Sequence, residues 1–413
     1  MVLRSPVGAT VTTRSIRDAN RFAVLRGIYS LVTPTRKELV ELTGLSSATI
    51  STVVTELLST GLLVESGRQE SGGGRPSTRV GVASGYGLLV GVDVAETYVH
   101  ADVYDAALNR LSRDERTMTG SSEPEQVIHQ VVDLVRAAMA SYTGRTVLGV
   151  GVSLPGQVEP RSGVSVVAPN WGWSDVPAEM LLTEQLAHRV HLDNPLKATT
   201  VAELWFGHGR MTGDLVTINL GTGVGAGIAI GGQLVRGVTN NAGEWGHTTL
   251  VLGGRRCRCG RNGCVEAYIG VSGLMAEFRA RFGANHPYLV GGGQTDFVDR
   301  LVAGLEAADA EAEWMINHFA RHLGAAIANV VNMINPRLVV LSSWIARRLG
   351  PWLLPATTEV MRAESIQGSA AATDLVFSAV PDSPVALGMA TLALESYLES
   401  RYSRVGATQI RTR

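Results

Sequence analysis

Apolar positions recur with a helical period between residues 33 and 67. Thr35 followed by Glu38 fits a capping box that opens a short helix, and Gly44 stands where a tight turn needs a positive φ. Ser46 can then cap a second helix, whose apolar positions form one stripe: Ile50, Val53, Val54, Leu57 and Leu58. The pattern predicts two helices joined by a tight turn.

The other face and the leading edge of the second helix carry small side chains, namely Ser47, Ala48, Ser51 and Thr52. A strand at 62–65 and a glycine-rich loop leading into a further strand (66–82) follow. This order is typical of a winged helix-turn-helix, whose second helix enters the major groove of DNA by its N-terminal residues. Arg75 and Pro76, at the tip of the loop, predict a wing that reaches the minor groove. A plain helical hairpin followed by an interdomain linker is the alternative.

Beyond residue 86 the pattern changes to strands alternating with helices. The segments are three strands (86–118), an amphipathic helix (123–144), a buried strand with a turn (147–160), a strand–glycine loop–strand unit (214–237) and a long helix feeding a strand (312–341). Each half begins with a strand hairpin and continues with helices. The sequence therefore predicts a duplicated α/β architecture with a cleft between the halves.

Composition places the chain in the ordinary globular class, with 45% hydrophobic residues, 18% charged residues and a net charge of −1. No segment has the run of about 18–20 apolar residues that a membrane span needs. The first fourteen residues lack the continuous apolar core of a signal peptide. Three cysteines, an odd and low number, argue against a secreted disulfide framework. We expect a cytoplasmic protein with no membrane partner.

Charge is distributed unevenly along the chain. Residues 1–85 hold ten arginine and lysine residues and six acids, so the remainder of the chain is acidic. A basic end on an acidic body indicates a small nucleic-acid-binding module attached to a different kind of domain.

Five motifs in the α/β region carry a family resemblance. They are VSLPGQVEPRSG (152–163), APNWGW (168–173), NLGTGVGAG (219–227), AGEWGH (242–247) and CRCGRNGCVEAY (257–268). With them the chain resembles the ROK family of repressors, open reading frames and kinases, which has an actin/hexokinase-like fold. The resemblance implies a flexible N-terminus (1–14), a winged helix-turn-helix DNA-binding domain (15–82) and a two-lobed α/β ROK domain (86–413). It also implies a homodimer, or a dimer of dimers.

All three cysteines lie within eight residues, and a histidine precedes them by ten. Cys257, Cys259, Cys264 and His247 offer three thiolates and an imidazole, which suit tetrahedral Zn²⁺ in a closed structural site. Surface thiols without a metal, or a redox switch, are the alternatives from the residues alone. In the ROK family the matching residues bind zinc, so the resemblance implies a structural zinc ion here.

Two glutamates flank the same motifs, and a zinc ion would bring them together. Carboxylates accept the paired hydrogen bonds that vicinal sugar hydroxyls donate. The resemblance implies a small sugar effector held by the following residues: Asn194, Glu244, His247 and Glu266, with Gly156 on the facing loop and Asn170 in the same cleft. The alternative is that these side chains only support the zinc ligands.

The residues that ROK kinases use for phosphate transfer are replaced. Alignment on Asn194 places Pro195 at the catalytic aspartate and Lys197 at the second asparagine of the family pattern. Ala95 and Glu96 stand where the first phosphate loop has glycines. A further glycine pair is replaced by Ser342-Ser343-Trp344. Proline has no proton acceptor, so we expect no catalytic residues, no ATP and no enzymatic activity.

These expectations combine into one function. The chain is expected to be a sugar-responsive transcriptional regulator, a repressor, that binds operator DNA and is released when sugar changes the angle between the lobes. Two alternatives fit the same residues. One is a weak ATP-dependent sugar kinase with an added DNA-binding domain, and the other is a regulator controlled by a protein partner.

Overall fold

The computed structural model describes residues 13–69, 77–120, 122–380 and 383–408 of the 413-residue chain. The helices are α1 (Thr13–Leu31), α2 (Arg36–Thr43), α3 (Ser47–Ser59), α4 (Pro124–Met139), α5 (Ala178–Leu186), α6 (Pro195–Phe206), α7 (Glu266–Ile269), α8 (Val271–Phe282), α9 (Gln294–Glu306), α10 (Ala310–Ile334), α11 (Trp344–Glu364), α12 (Gln367–Ala372) and α13 (Pro384–Thr408). The strands are β1 (Leu63–Gln69), β2 (Ser77–Val82), β3 (Leu88–Val94), β4 (Tyr98–Asp105), β5 (Arg110–Thr117), β6 (Val147–Ser153), β7 (Gln157–Glu159), β8 (Val164–Ala168), β9 (Trp173–Val176), β10 (Val190–Asp193), β11 (Leu215–Leu220), β12 (Val224–Ile230), β13 (Gln233–Leu234), β14 (Leu338–Leu341) and β15 (Asp374–Phe377).

The chain divides into two compact units. The first holds the described residues up to 152, residues 178–191 and those from 389 onward. The second holds residues 153–177 and 192–388. The N-terminal helices therefore belong to the same unit as the first α/β segment, and the hydroxyl of Tyr29 on α1 donates a hydrogen bond to the carbonyl of Ala106. The domain boundaries at 15–82 and 86–413 stay a prediction, and residues 1–12 of the expected flexible N-terminus lie outside the described residues.

The N-terminal module is a winged helix-turn-helix, as predicted. Thr35 and Glu38 form a reciprocal capping box at α2, which ends at Gly44 with φ +68°. Ser46 caps α3 through the backbone N–H of Thr49. The apolar stripe of α3 is buried, apart from a partly buried Leu58. Strands β1 and β2 pair antiparallel and form the hairpin of the wing.

Both α/β segments are built on the same strand order, which confirms the predicted duplication. The first five-stranded sheet has the order β5-β4-β3-β6-β10, and the second has the order β13-β12-β11-β14-β15. In each sheet three strands that follow one another in the chain pair antiparallel. The later strands of the sheet are added next to the first strand of these three. In the second sheet β11, β14 and β15 run parallel. Strands β7, β8 and β9 form a separate antiparallel sheet in the second unit.

Helix α10 supplies the largest part of the core of the second unit. Its buried residues recur at helical spacing, among them Met315, Phe319, Leu323 and Ile327, and they join one cluster with α8, α9 and α11. Burial of each such side chain contributes about 1.5–3 kcal/mol. Within the described residues, no helix combines the length and the apolar character needed to cross a membrane.

A buried charge network lies on one face of the first sheet. The carboxylate of Asp102 on β4 is fully buried. It accepts hydrogen bonds from Tyr104 at 3.0 Å and from Arg113 on β5 at 2.9 and 3.1 Å, and it lies 2.8 Å from His100 Nε2. Burial alone would raise the pKa of Asp102, but His100 and Arg113 outweigh it and hold that pKa well below its usual range. The ionised carboxylate is therefore part of the folded state.

Asp102 makes the stability of the first unit depend on pH. Because its pKa is lower in the folded chain than in the unfolded chain, its contribution is complete above about pH 5 and is lost as the pH falls toward the folded pKa. We expect Asp102→Asn to lower the free energy of unfolding by roughly 2 kcal/mol at pH 7, less than for a fully buried pair because Arg113 is partly exposed. Thermal unfolding between pH 7 and pH 3 measures this, and the difference from the wild type should shrink below about pH 4.

Asp114→Asn on β5 is the matched control. Asp114 forms a surface ion pair with Arg116 at 3.9 Å, so its removal should change the melting temperature little at any pH. Equal effects of the two substitutions would contradict the assignment of the acid sensitivity to Asp102.

Candidate functional site

The exposed face of α3 presents the side chains predicted to contact DNA. Ser47, Ala48, Ser51 and Thr52 are all exposed. The Thr52 hydroxyl donates to the carbonyl of Ala48 at 2.9 Å and keeps its lone pairs free to accept. The face is small and flat enough for a helix to approach the base edges in the major groove. The other two predicted contacts, Arg75 and Pro76, lie outside the described residues.

Some of the arginines of the N-terminal module form ion pairs and hydrogen bonds within the module itself. Arg21 on α1 pairs with Asp18 at 2.7 Å and with Glu56 on α3 at 2.6 Å. Arg79 on β2 donates to the carbonyl of Thr33, just before α2, at 2.6 Å. These arginines hold the helices and the hairpin together. The shape of the exposed helix is therefore a better indicator of DNA binding than the count of basic residues.

The four predicted metal ligands converge in the second unit. The ligand atoms of His247, Cys257, Cys259 and Cys264 all lie within 4.8 Å of one another. His247 Nδ1 is 3.8 Å from Cys257 Sγ, and Cys259 Sγ is 3.6 Å from Cys264 Sγ. Bonds of about 2.3 Å from a tetrahedral zinc ion place neighbouring sulfurs about 3.7 Å apart, so this donor set fits Zn²⁺.

A tight backbone hairpin builds this cluster. Gly260 and Gly263 have φ values of +89° and +80°, and a side chain at Gly263 would meet the carbonyl oxygen of Val251 at 1.8 Å. The backbone N–H of Cys257 donates to the carbonyl of Arg261 at 2.8 Å. Burial raises the pKa of the Cys257 thiol, and a bound cation would favour its ionised form. The cluster can hold a metal ion, and its four side chains would fill a tetrahedral coordination shell.

The AGEWGH segment runs along the backbone of β12. A side chain at Gly243 would meet the carbonyl oxygen of Ala226 at 2.0 Å, and one at Gly246 would meet that of Val224 at 1.9 Å. The indole of Trp245 anchors the segment by donating to the carbonyl of Ala326 on α10. Two of the predicted sugar contacts, Glu244 and His247, are thereby held on either side of Trp245, and both are partly exposed.

Glu266 lies close to the predicted metal ligands, and its carboxylate already accepts hydrogen bonds from other residues of the protein. Its carboxylate accepts from the guanidinium of Arg258 at 2.8 and 3.2 Å and from the backbone N–H of Val224 at 3.0 Å. Cys257 Sγ lies 3.7 Å from the same carboxylate. Glu266 is only 6% exposed, so a sugar reaches it only if Arg258, which is half exposed, moves aside. Its role as a sugar contact stays a prediction.

The residues predicted to stand at the position of the kinase base form the start of α6. Asn194 is the N-cap, and its side-chain oxygen accepts from the backbone N–H of Lys197 at 3.0 Å. Pro195 is the first residue of the helix, where a missing N–H costs nothing. Asn194 is buried, and its side-chain oxygen is already used to cap the helix. A sugar would therefore contact its side-chain amide nitrogen. Pro195 offers neither a donor nor an acceptor.

Asp193, the carboxylate beside Pro195, is also unsuited to act as a base. It is fully buried, and it accepts from Arg236 at 2.6 Å and from the side chain of Asn240 at 3.0 Å. Asn240 in turn donates to the carbonyl of Val158 on β7 at 2.8 Å. This cluster ties the end of β10 to the loop that leads into AGEWGH.

Gly156 and Asn170 lie apart from the cysteine and histidine cluster in the sequence, but in the same unit. Gly156 occupies the turn between β6 and β7 with φ +85°, and a side chain there would meet the carbonyl oxygen of Val167 at 2.1 Å. Next to this turn the backbone N–H of Leu154 donates to the carbonyl of Asp193. Asn170 is exposed between β8 and β9. The part of both residues in sugar binding stays a prediction.

The segments predicted to correspond to the phosphate loops of the kinases form hydrogen bonds with other residues of the protein. Glu96 is exposed in the turn between β3 and β4, and Asp93 accepts a hydrogen bond from Tyr98 at 3.0 Å. Ser343 caps α11 through the backbone N–H of Ala346. In the retained glycine turn, the hydroxyl of Thr222 donates to the side chain of Gln294 on α9 at 2.8 Å. A side chain at Gly223 would meet the guanidinium of Arg258 at 2.8 Å.

Three residues of the site were not expected from the sequence. Arg258 covers Glu266, Arg236 pairs with Asp193, and Lys197 is buried with 1% exposure. The sequence alone places a charged side chain such as Lys197 at the surface, and it does not indicate the carboxylate partners of the partly exposed Arg258 and Arg236. The proximity of Arg258 to two cysteine ligands was the one available signal.

A winged helix-turn-helix followed by a duplicated α/β region with a four-ligand cysteine and histidine cluster defines a DNA-binding regulator built on a sugar-kinase fold. The chain belongs to the ROK family, which matches residues 89–396. The N-terminal module precedes this match, as in the transcriptional regulators of the family.

The chain is similar to the xylose repressor of Caldicellulosiruptor bescii, with 27% identity over 388 residues, 93% of this chain and 97% of that protein. Among solved structures it resembles a ROK family transcriptional regulator that is a homologue of the E. coli MLC protein. That match has a TM-score of 0.76 and 22% identity, and it covers 92% of this chain and 98% of the other. It also resembles a ROK family glucokinase from Streptomyces griseus in complex with glucose and AMPPNP, with a TM-score of 0.64 and 26% identity over 75% of this chain and all of that one.

Proposed function

We propose that the protein is a sugar-responsive repressor that binds operator DNA through the exposed face of α3. The observation that carries this proposal is the helix-turn-helix with its exposed second helix, and the expected placement of Pro195 where the kinases have their base supports it. The repressor named among its relatives covers the N-terminal module as well as the α/β region. Such a protein acts in the cytoplasm, on DNA, as a homodimer whose two helices reach successive turns of the major groove.

The effector is a monosaccharide bound in the second unit, near Asn194, Glu244 and His247. Zn²⁺ held by His247 and the three cysteines is structural and fixes the loop that carries Glu244. Sugar binding favours a state of lower operator affinity and so shifts the population away from DNA. ATP has no part in this cycle, and the protein is not an enzyme. Xylose is the first sugar to test because it is the sugar in the name of the relative.

The test is operator binding across a panel of sugars. Duplexes selected from a random pool by the purified protein serve as the operator, and fluorescence anisotropy at fixed salt gives the dissociation constant. One sugar should weaken binding at least tenfold in the wild type and should have little effect on Glu244→Gln. Glu306→Gln, an exposed glutamate at the end of α9, is the matched control and should respond like the wild type. A sugar effect that persists in Glu244→Gln would contradict the placement of the effector.

A weak sugar kinase is the second candidate. The likeness to a glucokinase and the retained glycine turn favour it. Phosphorylation of xylose or glucose by ATP, above the rate with metal alone, would support it. The repressor proposal expects none, because Asp193 is held by Arg236 and Pro195 cannot take a proton.

A further inference from the structure

Lys197 is the most unusual side chain of the candidate effector site. It is 1% exposed and stands in the first turn of α6, three residues after the N-cap Asn194. Its ammonium nitrogen donates to the carbonyl of Ala242 at 2.5 Å, two residues from Glu244. Lys197 therefore lies between two of the predicted sugar contacts, on the helix and on the AGEWGH segment.

The ammonium of Lys197 lacks a full set of partners. It has three N–H donors and no acceptor, and among the described residues its one hydrogen-bond partner is the carbonyl of Ala242. The nearest carboxylate groups, Asp193 and Glu244, act on it only through longer-range electrostatics. Asp193 is already engaged by Arg236 and Asn240. Two buried N–H donors are left, and a buried lysine is seldom stable without a counter-charge.

The start of α6 adds to this positive character. The N-terminal turn of a twelve-residue helix carries the positive end of the helix dipole, and Lys197 lies within that turn. Pro195 supplies no negative charge there. Burial lowers the pKa of Lys197, whereas Asp193 and Glu244 oppose that shift. An acceptor reaches the ammonium only if the segment around Ala242 moves aside, and it would then be bound by a desolvated charge, where hydrogen bonds are strong.

We propose that Lys197 selects the effector, and that the site takes a monosaccharide bearing a carboxylate, a sugar acid, with the carboxylate oxygens accepting the two remaining N–H donors. A carboxylate offers two oxygens in one plane for two donors. A phosphate dianion would bring more charge toward the carboxylate of Glu244, which opposes it. This inference rests on the proposed function, because it names the class of sugar that the proposed effector site binds.

A matched series of sugars tests the proposal directly. D-xylose, D-glucose and D-glucuronate share the configuration of the ring and differ at carbon 5, which bears hydrogen, a hydroxymethyl group or a carboxylate. Titration calorimetry with the full-length, zinc-loaded protein gives the three dissociation constants. We expect D-glucuronate to bind at least about tenfold more tightly than either neutral sugar, the gain typical of a hydrogen bond to a charged group. Neutral sugars that bind as tightly as D-glucuronate would overturn the proposal, and so would a preference for glucose 6-phosphate over D-glucuronate.

Substitution of Lys197 assigns the preference to this residue. Lys197→Met keeps the length and suits a buried position, and it should lower the ratio of D-glucuronate affinity to xylose affinity at least tenfold. Loss of the contact with Ala242 would affect both sugars alike. The ratio of the two dissociation constants therefore isolates the effect on the carboxylate. Lys37→Met, at a side chain that is 84% exposed on α2, is the control and should keep the wild-type ratio. A ratio that is unchanged in Lys197→Met would overturn the role of Lys197.

The wild-type series remains decisive if Lys197→Met does not fold. Failure of the selection by Lys197 and failure of the proposed repressor function would give different results. Binding of xylose or glucose without preference for the acid, together with release of operator, would leave the repressor intact and overturn the selection by Lys197. If no sugar of the series binds and none releases operator, the proposed function itself fails, and this inference fails with it.

Discussion

Cys264→Ser is expected to remove the proposed zinc ion and to disorder the loop that carries Glu244 and His247. Serine is a poor ligand for zinc, and three remaining ligands cannot close the tetrahedral site. Loss of a metal is one of the few single changes that cost about 4 kcal/mol or more in the free energy of unfolding. We expect zinc content, measured by mass spectrometry of the purified protein, to fall from one ion per chain to a small fraction. The melting temperature of the second unit should fall with it, and the operator response to sugar should be lost because His247 and Glu244 share one loop.

The control for this substitution is Asn262→Ser in the same hairpin. Asn262 is exposed and supplies no ligand, so zinc content and sugar response should match those of the wild type. A Cys264→Ser protein that keeps its melting temperature and its sugar response would show that the cluster does not hold the loop.

Ser51→Glu is expected to abolish specific operator binding. The exposed position of Ser51 on α3 means that the substitution leaves the core intact. A carboxylate placed against DNA phosphates meets like charge, which costs several kcal/mol at an interface. An increase of about 3 kcal/mol in binding free energy corresponds to a loss of roughly a hundredfold in affinity. Fluorescence anisotropy at fixed salt measures the loss, and the melting temperature reports whether the fold is retained.

Ser59→Glu provides the comparison within the same helix. Ser59 is also exposed, but it ends α3, eight residues and about 12 Å from Ser51 along the axis. Operator affinity should stay within threefold of the wild type. Similar losses in both variants would mean that the effect is a general response to added charge, and the predicted orientation of α3 would be wrong.

The features that the sequence predicted well are local. The two ends of α2 and the start of α3 were predicted because Thr35, Gly44 and Ser46 act on neighbouring backbone groups. The metal cluster was predicted because four ligands lie within eighteen residues. The strand hairpins of both halves were predicted from alternation and glycine turns, which also depend on close neighbours.

The features that were not predicted depend on partners far away in the sequence. Helix α1 carries no distinct start or stop signal, and its buried face is defined by packing on α2 and α3. Arg236 and Asp193 are 43 residues apart, and nothing in either neighbourhood marks the pair. The burial of Lys197 follows from the fold of the AGEWGH segment over α6. A charged residue by itself predicts exposure, so such sites emerge only when the tertiary structure is known.

The division of the first unit into separate stretches of chain has a consequence for biosynthesis. The second unit is inserted within the first, and the first unit is completed by residues from 389 onward. Helix α13 buries Leu392, Leu394 and Leu398, and a side chain at Gly151 on β6 would meet the carbonyl oxygen of Met389 at 2.0 Å. The first sheet therefore cannot gain its final packing while the ribosome is still translating the middle of the message. Although its helix-turn-helix is translated before the second unit, the first unit is completed only after the second unit has been translated.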